Sequence, residues 1–145
     1  PEPAQPAVPK VRAATLPLAG RTVLLCDDDS NMVWLMQHFL EGLGINILTA
    51  FDGQEGLKAI REKKPALVII DIDMPVKSGL AVLKDLQQIP PAAPAPFVVI
   101  LSNHESKKMR DLCESLGAKE IMTKPFRWLE FGERLEELLR ERAVL

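Results

Sequence analysis

Acidic residues and one lysine follow three separate apolar runs of this chain. The runs and the residues after them are 23–26 before Asp27, Asp28 and Asp29, 67–70 before Asp71, and 120–123 before Lys124. If the runs are parallel strands of one sheet, the residues after them meet at one edge of that sheet. Several carboxylates and one ammonium at one edge cost free energy unless a cation and an anion complete the cluster. Function is therefore expected at this edge.

The carboxylates of the cluster indicate a metal ion. Two like charges 4 Å apart repel by about 4 kcal/mol at an effective dielectric near 20. Asp27, Asp28 and Asp71 can therefore all stay ionised only if a cation joins them. Oxygen ligands without histidine or cysteine suit a hard cation, and Mg²⁺ fits best. The peptide carbonyl of Asp73 is a further candidate ligand.

A magnesium site on a carboxylate edge indicates phosphate chemistry. Lys124 would supply a positive charge for phosphoryl oxygens. Ser102, after the apolar run 97–101, would offer a hydroxyl at the end of another strand. A carboxylate can be a nucleophile and form an aspartyl phosphate. Asp71 suits that role because it would be central in the sheet, between the metal ligands on one side and Ser102 and Lys124 on the other.

The elements that must position these residues alternate along the chain. Strand-like runs occur at 22–26, 46–50, 66–70, 97–101 and 119–123, and helical periodicity follows each of them. Strands that are apolar without alternation are buried on both faces, as parallel strands are. The pattern predicts an α/β fold, a doubly wound five-stranded parallel sheet of order 2-1-3-4-5 with five helices. Its switch point lies between strands 1 and 3, where Asp27, Asp28 and Asp71 end the strands.

Each predicted helix carries an apolar stripe. The stripes are Met32, Met36, Phe39, Leu40 and Leu43; Leu57 and Ile60; Leu80, Val82, Leu83 and Leu86; Met109, Leu112, Cys113 and Leu116; and Trp128, Phe131, Leu135 and Leu138. Ser30 is predicted to cap the first helix and Ser78 the third. Gly44 and Gly117 are predicted to end the first and fourth helices.

Composition limits the remaining classes. The 145 residues suffice for one domain with a real core, and a net charge of -2 gives no electrostatic case for nucleic-acid binding. No apolar stretch approaches the about 20 residues of a membrane span, and no signal peptide is visible. Cys26 and Cys113 are predicted to be buried thiols in a reducing cytoplasm. Residues 1–20, rich in proline and alanine, are expected to be a linker or tail with another domain upstream, and residues 90–96 a stiff loop.

Residues 21–142 resemble a bacterial response-regulator receiver domain of the CheY-like type. The resemblance rests on LLCDD at 24–28, VIIDIDMPVKSG at 68–79, VVILS at 98–102 and MTKPF at 122–126, in this order. It implies a two-component signalling domain at 21–145, phosphorylated on Asp71 by a sensor histidine kinase or a histidine phosphotransfer domain. Asp28 would bind Mg²⁺ directly and Asp27 mainly through water, Ser102 would be the switch hydroxyl, and Lys124 the phosphate partner. The Lys124–Pro125 peptide would be cis.

The chain departs from the family pattern in two places, one that bears on how phosphorylation changes the conformation and one that bears on the lifetime of the phosphorylated state. Family members often carry an aromatic residue three positions before the lysine, where this chain has Ile121, and the chain contains no tyrosine. After the switch hydroxyl the family usually has a small residue, where this chain has Asn103 and then His104. Asp73 and His104 are the candidates for setting the lifetime of the phosphorylated state.

Other functions stay open at this point. Asp71-Ile72-Asp73 also matches the start of haloacid-dehalogenase-like phosphatases, although their motif usually follows the first strand and a cap domain encloses the substrate. A receiver-like interaction module that works without phosphate is a third possibility, and homodimer formation is open. The reading as a receiver predicts no enzyme in the metabolic sense, since the domain would catalyse only its own phosphorylation and dephosphorylation. A dinucleotide site is excluded because no Gly-x-Gly-x-x-Gly follows the first strand.

Overall fold

The computed structural model describes residues 20–88, 95–104 and 106–143. Apart from Gly20, the predicted linker at 1–20 lies outside these residues, as does most of the predicted stiff loop at 90–96. Strands and helices alternate throughout the described part. Their bounds are β1 Thr22–Cys26, α1 Ser30–Glu41, β2 Asn46–Ala50, α2 Gly53–Lys63, β3 Leu67–Asp71, α3 Gly79–Gln87, β4 Phe97–Ser102, α4 Lys107–Ser115, β5 Glu120–Thr123 and α5 Trp128–Ala143.

The five strands form one parallel sheet of order β2-β1-β3-β4-β5, as predicted. In the register of the central pair, Cys26 lies opposite Ile70, so the residues that follow, Asp27 and Asp71, come side by side at the carboxyl edge. All five residues of β3 are buried, because helices cover both faces of the sheet. The topological switch point between β1 and β3 is therefore confirmed.

Alternate residues of each strand face two separate apolar layers. On one face, Val23 and Leu25 pack with α1 and α5, where Phe39 and Phe131 are fully buried. On the other face, Leu24 and Cys26 pack with α2, α3 and α4. The sheet is thus fixed from both sides, and its carboxyl edge stands between the two layers.

Capping side chains begin the helices. The Asp29 carboxylate accepts from the backbone N–H groups of Asn31 and Met32 and caps α1, so the prediction that Ser30 is the cap was wrong. Both residue types cap well, and only the chain geometry decides between neighbours. The Ser78 hydroxyl caps α3 as predicted. Gly44 and Gly117 follow α1 and α4 at positive φ of 75° and 96°, as helix-ending glycines do.

Most of the predicted stripes face the core, with one clear exception. Leu112 was predicted to lie on the core face of α4 and is 40 % exposed, whereas Cys113 next to it is fully buried. Four strand bounds also shift by one residue: β3 begins at Leu67 and ends at Asp71, β4 ends at Ser102, and β5 begins at Glu120. Within the described residues, no helix is both long and apolar enough to cross a bilayer.

Candidate functional site

The three predicted carboxylates meet at the carboxyl edge between β1 and β3. One oxygen from each of Asp27, Asp28 and Asp71 lies within 4.8 Å of the other two, close enough to share one metal ion. Asp27 and Asp71 are buried, whereas Asp28 is exposed. The cluster is therefore open to solvent on the Asp28 side, from which an ion would enter.

Lys124, which follows β5, reaches across the edge to the two buried carboxylates. Its ammonium donates to Asp27 Oδ2 at 2.9 Å and to Asp71 Oδ2 at 2.6 Å. The side chains of Lys124, Asp27 and Asp71 are 11 %, 0 % and 7 % exposed. The structure thus brings four predicted site residues together from three strands, and the lysine supplies the one positive charge that the described contacts show among them.

Each buried carboxylate also accepts from a backbone amide two residues further on. Asp27 Oδ1 accepts from the Asp29 N–H at 2.9 Å, and Asp71 Oδ1 accepts from the Asp73 N–H at 2.9 Å. This turn is typical of aspartate at the end of a strand. Both carboxylates are therefore held by the ammonium on one oxygen and by backbone on the other. Among the described residues, no buried side-chain nitrogen or oxygen lacks a hydrogen bond.

Burial and hydrogen bonding shift the pKa values of Asp27 and Lys124. Burial raises the pKa of the Asp27 carboxyl above its ordinary value, although the hydrogen bonds from Lys124 and from the Asp29 N–H act in the opposite direction. Burial alone would lower the pKa of the Lys124 ammonium. Its hydrogen bonds to Asp27 and Asp71 outweigh burial, so the pKa is raised. The lysine therefore stays charged. The raised pKa of Asp27 shows that its hydrogen bond to the ammonium does not fully offset the cost of burying this carboxylate.

A close backbone approach fixes the chain behind Asp71. The Gly79 N–H donates to the Ile72 carbonyl at 3.0 Å. A Cβ at Gly79 would lie 2.5 Å from the Asp71 carbonyl oxygen, so only glycine fits there. Sequence reasoning did not single out Gly79. Its signal was a glycine at the start of a predicted helix, eight residues after the central aspartate.

The Ser102 hydroxyl is hydrogen-bonded within its own loop. It is 3 % exposed, and its hydroxyl donates to the His104 carbonyl at 2.9 Å and accepts from the His104 N–H at 3.1 Å. The Lys124 N–H donates to the Ser102 carbonyl at 2.7 Å, so the two residues are joined through backbone. Ser102 thus lies next to the cluster with its hydroxyl engaged by its own loop.

Several remaining predictions have a definite place. Asp73, Asn103 and His104 are exposed, and Asp73 and His104 line one depression with Ser102. The Lys124–Pro125 peptide is cis, as the resemblance implied. Ile121 is partly buried and packs against the apolar layer of α2, α3 and α4. Cys26 and Cys113 are free and buried, which confirms the prediction of two buried thiols.

Residues 23–136 match the family described as the response regulator receiver domain. The chain is 33 % identical over 125 residues to the alkaline phosphatase synthesis transcriptional regulatory protein PhoP of Bacillus subtilis, covering 86 % of this chain and 51 % of that protein. The chain therefore spans about half the length of such curated relatives.

Solved structures show the same fold. The receiver domain of the Francisella response regulator 1452 is 30 % identical with a TM-score of 0.77, covering 84 % of this chain and 98 % of that one. The receiver domain of the sensor histidine kinase PA1611 from Pseudomonas aeruginosa is 19 % identical with a TM-score of 0.73. The match covers 83 % of this chain and 98 % of that one. That structure has a magnesium ion coordinated in its active site cleft.

Proposed function

We propose, because this chain belongs to the response regulator receiver family, that Asp71 is the residue that accepts the phosphoryl group. The family places the chain in two-component signalling, and the phosphoacceptor role is the one that its fold and site fit. One observation carries the assignment to Asp71: it is the aspartate that ends the central strand β3 and that lies beside both the other carboxylates and Lys124.

The environment of Asp71 suits a nucleophile that must receive negative charge. Lys124, 2.6 Å away, offsets the charge on Asp71 and would offset charge on a phosphoryl oxygen placed beside it. The Asp73 N–H holds the other oxygen, which fixes the orientation of the carboxylate. Positioning and charge compensation are most of what phosphoryl transfer requires from a protein.

The carboxylate set fits Mg²⁺, which would supply positive charge for the transferring oxygens. In keeping with the pattern that the resemblance implies, we assign direct coordination to Asp28, which is exposed, and to Asp71, the proposed acceptor, because the ion must lie beside the transferring oxygens. Asp27, fully buried and held by Lys124 and the Asp29 N–H, acts mainly through water. The Asp73 carbonyl is the proposed backbone ligand.

The proposed reaction is transfer from a phosphohistidine of a sensor histidine kinase or a histidine phosphotransfer domain. An Asp71 oxygen forms a bond to phosphorus while the bond between phosphorus and the imidazole nitrogen breaks, and the imidazole takes up a proton. Water later attacks the phosphorus, the bond between phosphorus and the Asp71 oxygen breaks, and inorganic phosphate leaves as the carboxylate is restored. The domain promotes both steps on itself and turns over no metabolite.

Phosphorylation would then shift a conformational balance. The added charge competes for Lys124 and offers an acceptor to the Ser102 hydroxyl, which leaves the His104 backbone. A coupling of about 1–3 kcal/mol is sufficient for a signal. With Ile121 in place of an aromatic residue, the readout goes through the Ser102–Lys124 backbone link rather than through a moving ring.

The lifetime of the phosphorylated state is assigned to Asp73 and His104. Both are exposed and line one depression with Ser102, and the Asp73 N–H is hydrogen-bonded to Asp71, so water that attacks the phosphoryl group is proposed to pass between them. We expect Asp73→Asn and His104→Ala each to change the dephosphorylation rate. Unchanged rates in both variants, measured by loss of label from the phosphorylated protein, would remove this assignment.

The partner domains belong to the proposal as well. Residues 1–20 are proposed to link the receiver domain at 21–145 to another domain, and a homodimer is one further assembly. A reducing cytoplasm suits the free thiols of Cys26 and Cys113.

Mass spectrometry after incubation with acetyl phosphate and Mg²⁺ tests the central assignment. We expect a gain of one phosphoryl group that is lost in Asp71→Asn and retained in Asp85→Asn. Asp85 lies on α3, and its carboxylate is paired with Lys77. Turnover of a generic phosphomonoester would instead indicate a phosphatase. Absence of a phosphoryl adduct and of a beryllofluoride complex would indicate an interaction module that works without phosphate.

A further inference from the structure

Val76, in the loop between β3 and α3, has an unusual backbone and an unusual exposure. Its φ is 67°, in the left-handed region that a β-branched residue rarely adopts. Its side chain is 81 % exposed, so little burial compensates for the strain in this structure. Glycine or asparagine would adopt this backbone more easily. An apolar side chain is thus kept where folding alone favours another residue.

The neighbours of Val76 impose its conformation. The Lys77 N–H donates to the Pro75 carbonyl at 2.7 Å, which makes a tight turn at Val76. Lys77 pairs with Asp85 on α3, and Gly53 at the start of α2 packs on the Lys77 backbone so closely that no Cβ would fit. The Val76 side chain is therefore presented to solvent at a fixed place, which is how strained residues at binding sites are held.

Two carboxylates border the same place, and a second exposed apolar residue is hydrogen-bonded to one of them. Val76 lines a depression of about 510 Å³ with Asp52 and Glu55. Phe51 is 44 % exposed, and its N–H donates to Glu55 at 3.3 Å. We call Phe51, Asp52, Glu55 and Val76 the α2 corner. It belongs to the same carboxyl edge of the sheet as the acceptor, because Val76 is five residues after Asp71 at the end of β3 and Phe51 directly follows β2.

From this arrangement we infer that the α2 corner is a contact surface for the protein phosphodonor, with Val76 as its specificity-determining residue. The inference depends on the proposed function. A protein that brings a phosphohistidine to Asp71 must cover the loops around it, and the α2 corner is one of them. Apolar contacts from Val76 and Phe51 would then gain the burial that the free domain lacks.

Charge defines the surface that would fit. Asp52 and Glu55 lie at the end of the depression that begins α2, whereas Lys58, Arg61 and Glu62 line it further along the helix. The complementary donor surface carries basic residues near its phosphohistidine and an apolar side chain beside them. A small donor such as acetyl phosphate has none of these groups and reaches Asp71 without the α2 corner.

A protein donor and a small donor, compared on the same variants, distinguish an effect on kinase contact from an effect on the phosphorylation of Asp71 itself. Phosphotransfer to the wild-type chain is measured from a panel of autophosphorylated cytoplasmic fragments of histidine kinases, and the fastest one is kept. The variants are Val76→Gly and Val76→Asn, which accept the backbone and therefore fold. Leu112→Ser on α4, another exposed apolar position, is the matched control. Each protein is also labelled with acetyl phosphate.

We expect both Val76 variants to lower the second-order rate of transfer from the kinase by at least about fivefold, the size typical of an interface contact that matters. Labelling by acetyl phosphate should stay within about twofold of wild type, and Leu112→Ser should match wild type with both donors. A second-copy interface is the alternative occupant, and a Val76 variant that changes self-association but not transfer would overturn the inference.

The remaining outcomes are also decisive. Unchanged transfer in the Val76 variants, or an equal loss with both donors, would overturn the inference, since contact with the kinase would then not be what Val76 provides. Transfer from no kinase, with normal labelling by acetyl phosphate, would overturn it too, because there would be no protein donor to select. Failure of acetyl phosphate to label wild-type Asp71 would instead refute the proposed function.

Discussion

Replacement of Lys124 by methionine tests whether the lysine is the charge that makes the buried carboxylates tolerable. At an effective dielectric of about 20, its contacts of 2.9 Å and 2.6 Å to Asp27 and Asp71 correspond to roughly 6 kcal/mol of attraction each. Loss of solvation, several kcal/mol per ion, offsets most of this. Breaking a buried pair while leaving its partner costs about 3–5 kcal/mol.

We expect Lys124→Met to lose about 3 kcal/mol of unfolding free energy at neutral pH without Mg²⁺. The lower end of the range applies because Lys124 and Asp71 keep some contact with solvent. Mg²⁺ should restore part of the loss, since it supplies positive charge to the same carboxylates. Urea denaturation followed by tryptophan fluorescence measures the effect, because Trp128 packs against buried Phe39.

The pH dependence follows from the raised pKa of Asp27. A carboxyl whose pKa is higher in the folded state contributes stability that is fully present below its ordinary value of 3.8 and lost as pH rises through the folded value. Removing Lys124 takes away an interaction that lowers this pKa, so the pKa rises further. The loss caused by Lys124→Met should therefore shrink as the solution is made acidic.

Two controls test whether the loss comes from a buried carboxylate left without its partner rather than from the removal of a lysine as such. Asp27→Asn combined with Lys124→Met removes the stranded carboxylate and should recover at least about half of the lost stability. Lys119→Met removes a surface lysine 2.7 Å from Glu141 and should cost less than about 1 kcal/mol. A Lys124→Met protein as stable as wild type at neutral pH without Mg²⁺ would refute the reasoning.

Three further outcomes concern groups that pack behind the site. Burial and, secondarily, nearby carboxylates raise the pKa of the Cys26 thiol to about 12, so a thiol reagent near neutral pH should label it only in urea; labelling of the folded protein would contradict its burial. Gly56→Ala puts a Cβ 2.7 Å from Cys26 Sγ and should cost about 1–3 kcal/mol in urea denaturation, largely recovered by adding Cys26→Ala. Asp29→Ala should cost about 1 kcal/mol and Ser30→Ala much less, and equal losses would contradict the assignment of the cap.

The sheet was predictable because parallel strands that are buried on both faces have a simple sequence pattern. Runs such as 67–70 are apolar at every position, since both faces are covered, and a polar residue marks the end of each run. Once the order of the strands is known, Asp27, Asp71 and Lys124 must meet at one edge. The cluster therefore follows from residue types and topology, without any detail of side-chain packing.

Features that depend on individual torsion angles were not predictable. Ser102 was expected to face the cluster, yet a hydroxyl has several acceptors within reach and here the His104 backbone holds it. The positive φ of Val76 has no signal, because the residue type argues against it. Leu112 follows the helical period, but Cys113 is the buried residue of α4 and Leu112 lies to one side of that face, so the period alone placed it wrongly.

The pairing of α1 with α5 has a consequence for synthesis on the ribosome. The strands β2, β1 and β3 are complete once residue 71 has been made, and they can pair before the rest of the chain exists. Phe39 of α1, however, packs against Trp128, Phe131 and Gly132 of α5, the last of the described helices. A nascent or prematurely terminated chain that lacks α5 leaves the apolar face of α1 around Phe39 exposed to solvent. We expect chaperones and proteases to bind this species in preference to the complete domain.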